Sequence, residues 1–292
     1  MSEVRQRWRL VFARGEEARY LSHLDAVRLW ERAFRRGEIP VARTEGFSPR
    51  PRLIFAAPLQ LGMLAEHELA DLFLSERLTA PELRDRLVAG MPRGYAVVDL
   101  HDVWIGEPAL APQLAAADYR MTVLNVEQTR LEAAAARLLA AERLPRERRK
   151  EARAIPYDLR PLVLELRTGS ADAAALPPDA DPAGAAGLWM RLRHSQDRGS
   201  GRVEEVVAAL AGELGLRTAS DGGDDEDAGA VDSIEEPGMP ARTPEVVGTA
   251  PDSLAPLSIG PLLEVVRPVR ERLWLETELE SAGTPHRAVR AV

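Results

Sequence analysis

The sequence predicts an α+β fold, and three observations carry that prediction. Stretches of strand-like alternation and of helix-like periodicity follow one another along the chain, and neither type dominates. Helix boundaries are marked by Ser22 and Thr79 as starts and by Gly37, Gly90 and Pro92 as stops. A β-α-β-β-α-β order can be read in each half, which is the order of a ferredoxin-like unit. The expectation is two tandem ferredoxin-like units with antiparallel sheets, plus an acidic disordered segment.

In the first half, WRLVFAR (8–14) alternates as a strand. Ser22 and Asp25 stand at capping-box spacing, with Asp in place of Glu, ahead of a helix over 23–36. Leu24, Val27, Trp30 and Phe34 recur on one face of that helix, and Gly37 ends it. PVARTEG (40–46) and PRLIFAAPL (51–59) read as short extended segments, so this unit carries an extra hairpin strand. HELADLFLSE (67–76) reads as a strand, 79–92 as a helix with Pro81 near its start, and 95–106 as a strand. In the second half, 117–126 reads as a strand and 127–143 as a strong helix. The stretches 155–167 and 187–195 read as strands, 202–214 as a helix, and 261–277 as a returning edge strand. The implied boundaries are 1–112, 113–217, an acidic segment 218–256, a returning strand 257–278 and a frayed tail 279–292.

Composition excludes several chemistries. The 292 residues contain no cysteine, so this chain alone can build no disulfide, thiolate nucleophile or iron–sulfur cluster. The five histidines (His23, His67, His101, His194 and His286) are scattered without metal-binding spacing, so no metal and no cofactor is expected in this chain. The N-terminus is polar and no apolar run is long enough for a bilayer, so the expectation is a cytoplasmic protein with no membrane partner. The net charge of −8 is local. Residues 218–256 hold ten acids and one base, and outside them 37 basic residues face 36 acidic ones. Residues 1–53 carry twelve arginines against seven acids.

That basic front contains the candidate site. Arg28, Arg32, Arg35 and Arg36 form a cationic face on the first helix, followed by Arg43, Arg50 and Arg52 in a Pro-studded turn. Phe47 stands among them as a platform for a stacked base, and together these eight residues are the nucleic-acid-binding candidates. The bland alternative is a solvated helix face partly neutralised by Glu31. His23, with Tyr20 assisting, is the one general acid–base candidate, and it would suit metal-independent RNA cleavage. Its bland alternative is a first-turn histidine that packs while Ser22 and Asp25 cap the helix. The run RLPRERRKEAR (143–153) reads as a solvated helix extension or loop, or as a second phosphate-contacting patch. Arg160 is placed to pair with Asp158.

SHLD, ERAFRRGEIP, GFSPRPRLIFA and PLQLG, between Tyr20 and Gly62, resemble the domain of unknown function found in radical-SAM-linked proteins, and YDLRPLVLEL (157–166) resembles that family's second-half signature. The similarity covers roughly residues 5 to 170. The resemblance implies a partner, a radical SAM protein with a cobalamin-binding-like region encoded beside it or fused to it, and implies no reaction. Since this chain has no cysteine, the partner would hold the cluster. The combined expectation is a non-catalytic accessory that presents RNA to that enzyme through its arginine-rich face. The alternatives are an RNA-processing enzyme using His23 and a protein–protein adapter without RNA binding.

Overall fold

The computed structural model describes residues 3–45, 47–150, 153–178, 180–216 and 263–281. The acidic segment 218–256 and residues 282–292 of the expected tail lie outside the described residues.

The first half runs β1 (Gln6–Arg14), α1 (His23–Arg36), β2 (Leu53–Phe55), β3 (Leu64–Leu74), α2 (Ala80–Gly90) and β4 (Tyr95–Val103). Helix α1 begins where the Ser22 hydroxyl accepts from the Asp25 N–H at 3.2 Å and donates to its carboxylate at 2.7 Å. Helix α2 begins with a full capping box between Thr79 and Glu82. Gly37 has φ −81, so its role is clearance. A Cβ there would meet the Arg86 carbonyl of α2 at 2.3 Å, and one at Gly90 would meet the Ala33 carbonyl of α1 at the same distance. The two helices therefore touch backbone to backbone.

The second half runs β5 (Leu114–Leu124), α3 (Gln128–Ala140), a β6–β7 hairpin (Pro145–Lys150 and Arg153–Asp158), β8 (Val163–Ser170), β9 (Ala185–Ser195), the short β10 (Gly199–Ser200), α4 (Val203–Glu213), β11 (Val265–Leu275) and α5 (Glu276–Ser281). Strand order is β4-β1-β3-β2 in the first half and β8-β9-β5-β11 in the second, with every pairing inside a half antiparallel.

Four segments differ from the sequence reading. The 261–277 stretch supplies β11, which is not at an edge. It pairs with β5 and also, in parallel, with the start of β3 through Val269–Leu64 and Arg270–Ala65. Strand β2 covers only Ala70 to Leu72 of β3, so the other end of β3 remains open to β11 and the halves merge into one nine-stranded sheet. Of the 40–46 stretch, residues 40–45 make only isolated bridges, Val41 to Leu74 and Arg43 to Pro51, and add no full strand. The basic run 143–153 continues no helix: it supplies strand β6, which pairs with β7. Leu144 is buried, its N–H donates to the Asp158 carboxylate and its carbonyl accepts from the Leu159 N–H, and Arg148 is drawn to Glu205 of α4 at 3.0 Å. Last, 155–167 is two strands separated by a 3-10 turn at Arg160–Leu162, where Pro161 breaks the ladder.

Trp8, Leu10 and Phe12 of β1 pack with Trp30 and Phe34 of α1 and Leu83 and Leu87 of α2. A larger core joins α3 and α4 to β5, β8, β9 and β11, and it takes in Ala56, Ala57, Leu59 and Met63 of the first half. Where the two cores meet, the buried Arg270 of β11 donates from Nε to Glu68 of β3 at 2.6 Å and from Nη1 to the Pro58 carbonyl at 3.1 Å. A second contact joins Arg270 Nη2 to the other Glu68 oxygen. Buried Arg14 donates to the carbonyls of Gln60 (2.7 Å) and Met63 (2.8 Å), and Gln60 reaches Glu204 of α4 at 3.0 Å. The PLQLG stretch is thus a loop clamped between the halves, with Gly62 at φ +80 supplying its turn.

Candidate functional site

Helix α1 and the segment that follows it enclose a groove of ≈ 550 Å³. Arg28, Glu31 and Arg35 line it from the helix, and Arg43, Arg50 and the flanking Pro49 and Pro51 line it from the loop. Its floor is apolar, formed by Leu24, Val27, Phe34, Ile39 and Val41. The sequence produces this shape in two steps. Trp30 and Phe34 point the opposite face of α1 into the core, which turns Arg28 and Arg35 outward. Ile39 then anchors the chain beneath the helix end, and the Ala42 N–H bonds to the Phe73 carbonyl, so 43–50 returns alongside α1.

The loop is closed at its base. Thr44 N–H donates to the Arg50 carbonyl (2.8 Å), the Arg50 N–H donates to the Thr44 hydroxyl (3.0 Å), and Arg43 Nη1 donates to the Pro49 carbonyl (3.2 Å). Phe47 stands fully exposed between these closures. Proline on both sides of Arg50 restricts the backbone that carries it, so less entropy is lost when its guanidinium engages a ligand.

Four guanidiniums therefore surround one groove with a single carboxylate, Glu31, among its lining residues. Arg28 lies 3.5 Å from Asp25, an exposed pair of small worth. Among the described residues, the exposed side chains of Arg35 and Arg50 have no carboxylate within salt-bridge distance, and the same holds for Arg32 and Arg36.

The eight candidates separate into groups. Arg28, Arg35, Arg43 and Arg50 come together in the groove, with Phe47 on its loop. Arg32 and Arg36 are exposed on α1 but do not line it. Arg52 is elsewhere. Its guanidinium lies 4.0 Å over the Phe73 ring, on the sheet face away from α1, where Arg7 also stacks. The sequence reading missed the groove's floor, Ile39 and Val41 above all. Their only signal was a pair of apolar residues between a helix stop and an Arg-rich turn.

His23 is the first residue of α1, half-buried, with its ring edge-on to Phe55 at 5.5 Å. Burial pulls its pKa below the ordinary histidine value. Tyr20 is exposed and lies against the Arg19 guanidinium, and no hydrogen bond joins it to His23 among the described residues. The geometry is that of a packed first-turn histidine. Asp158 accepts from the backbone N–H of Leu144 and Arg160, while the Arg160 side chain bonds the Leu139 and Val163 carbonyls. Among the described residues no cluster of three His, Asp or Glu side chains is placed to hold a metal, and no helix is long and apolar enough to cross a membrane.

Residues 7–196 match the family described as an uncharacterized protein conserved in bacteria, DUF2344. The chain belongs to the DUF2344 family. The matched region includes the whole groove and the PLQLG loop. No curated protein matches the sequence. A crystal structure of an unknown protein from Galdieria sulphuraria aligns at 13% identity with a TM-score of 0.21, covering 71% of this chain and 91% of that one.

Proposed function

We propose that this DUF2344 protein is a non-catalytic accessory that binds RNA in the arginine groove and presents it to a radical SAM enzyme. The observation that carries the RNA part is the convergence of four guanidiniums on one groove with one lining carboxylate. Guanidinium forks match phosphate oxygens in geometry and charge, and a fully exposed phenylalanine beside them offers any base a stacking face. The strand orders β4-β1-β3-β2 and β8-β9-β5-β11 support treating each half as a ferredoxin-like unit, a common RNA-binding scaffold. The sheet face away from the helices is a poorer alternative platform, because much of its charge is already paired. There Arg191 binds Asp118 at 2.7 Å and Arg120 binds Glu271 at 2.7 Å. The radical SAM partner rests on the sequence resemblance together with the absence of cysteine, which leaves the cluster to another polypeptide.

The apolar floor favours a second reading, an adapter that docks an acidic, apolar peptide of a protein partner. Salt dependence separates the two. RNA held by four arginines should show a log–log slope of about −3, at roughly −0.7 per phosphate neutralised on a single strand. The full chain is purified, retained RNA is sequenced, and binding is titrated against salt for wild type and for Arg28→Glu/Arg35→Glu/Arg50→Glu. The triple variant should retain no RNA while its fold is intact. Salt-insensitive binding, or wild-type retention by the variant, overturns the RNA reading. RNA cleavage by the isolated chain that is lost in His23→Ala would replace it with an enzyme.

A further inference from the structure

We infer that the chain carries its own occupant for the groove: the acidic stretch 221–236 docks against Arg28, Arg35, Arg43 and Arg50 when no RNA is bound. The first support is charge complementarity. The stretch contains eight acids and no base, while the groove offers four arginines and one carboxylate. The second is the apolar match. Val231 and Ile234 are interleaved with those acids, and the groove floor is Leu24, Val27, Ile39 and Val41. Because the chain outside 218–256 is balanced, at 37 basic to 36 acidic residues, this segment holds the negative charge that the basic front lacks.

The third support is reach. The described chain ends at Leu216, three residues past α4, and resumes at Leu263. Some 18 residues separate Leu216 from Ile234, a span of up to roughly 60 Å when extended. A compact body of roughly 230 residues has a radius of gyration near 17 Å and is about 45 Å across, a distance that the extended chain covers by its Val231–Glu236 end. Covalent attachment also raises the effective concentration to the order of millimolar, enough for weak charge pairing to populate the docked state. The consequence rests on the RNA reading above: RNA must displace the segment, so weak or non-specific phosphodiester ligands are disfavoured at low salt. The docking itself does not depend on that reading.

The absence of cysteine gives a clean test on the full chain. Ser48→Cys and Ser233→Cys are introduced together and spin-labelled, and the distance distribution is measured by electron paramagnetic resonance. Ser48 is exposed beside the groove and does not line it. A narrow short-distance population should appear at low salt and vanish at about 1 M salt, where the screening length is about 3 Å. It should also vanish when Asp224, Asp225 and Asp227 become Asn and Glu226, Glu235 and Glu236 become Gln. The same neutralised full chain should bind a single-stranded RNA probe several-fold tighter at low salt, with the difference lost at high salt. A broad distribution untouched by neutralisation overturns the docking, whatever RNA does. A short distance in a chain that binds no RNA keeps the docking and removes the RNA reading instead.

Discussion

Two sets of arginines in this molecule have the same side chain and opposite surroundings. Arg7, Arg9, Arg14 and Arg270 are buried, and each is answered. Arg7 and Arg9 share Asp71, Arg270 holds Glu68, and Arg14 is met by backbone carbonyls. Arg28, Arg35, Arg43 and Arg50 are exposed around a groove with little opposing carboxylate. A buried unpaired charge costs several kcal/mol, so the first set had to be satisfied within the fold. The second set is bathed in water and costs the fold little, so its partners can come from outside. The difference teaches where to look for function: at the arginines that the fold leaves exposed around a groove.

The largest way to break the comparison is to unpair the seam. Burial opposes the charge on Arg270, but Glu68 outweighs it and holds the guanidinium protonated well above its usual range. Arg270→Met should cost about 3–5 kcal/mol, because Glu68 would be left buried without a counter-charge. Glu68→Leu combined with Arg270→Met should recover most of that, since a well-packed apolar pair often matches a buried ion pair. Chemical denaturation of the three proteins checks this. A single-variant loss below about 1 kcal/mol would show that the seam is hydrated and that the buried set is not distinct from the groove set.

A smaller effect comes from the histidine beside that seam. Burial, with a lesser contribution from Arg270, pulls the His194 pKa down to about 4. In the unfolded chain the group titrates near 6.5. The unfolded state therefore binds the extra proton first as pH falls, and stability present above about pH 6.5 is lost as pH drops toward 4. The loss should be on the order of 2–3 kcal/mol by pH 4. His194→Gln should flatten the stability curve across that window, measured by urea unfolding at fixed pH values. An unchanged curve would mean that His194 is solvated.

Much of the groove was legible in the sequence, and the seam was not. The α1 arginines follow helical spacing, and Arg43 and Arg50 lie within one turn of chain, so local rules bring them together. Arg52 was grouped with Arg50 by sequence adjacency. The chain enters the sheet between them, at the Pro51 bridge, and that sends Arg52 to Phe73 on the other face. The Glu68–Arg270 contact spans 202 residues and depends on two half-sheets meeting, which no periodicity encodes. The same non-local event moved 261–277 from an expected edge to the interior of the sheet. The basic hairpin was misread because charge density says nothing about the buried Leu144 and the Arg148–Glu205 contact that fix it.

Arg50 and Arg52 give the finest test, since a single residue, Pro51, separates a groove cation from a packing cation. Arg52→Ala removes a guanidinium stacked on Phe73 and should cost about 0.5–2 kcal/mol of stability, leaving RNA affinity and its salt slope as they were. Arg50→Ala removes a guanidinium that has no carboxylate partner among the described residues, so stability should stay within about 0.5 kcal/mol of wild type. Its salt slope should fall by about 0.7, the share of one phosphate contact on a single strand. Thermal melts and salt titrations of both variants decide the matter. If Arg52→Ala alters the slope, phosphate contacts reach both faces of the sheet, and the binding surface extends beyond the groove.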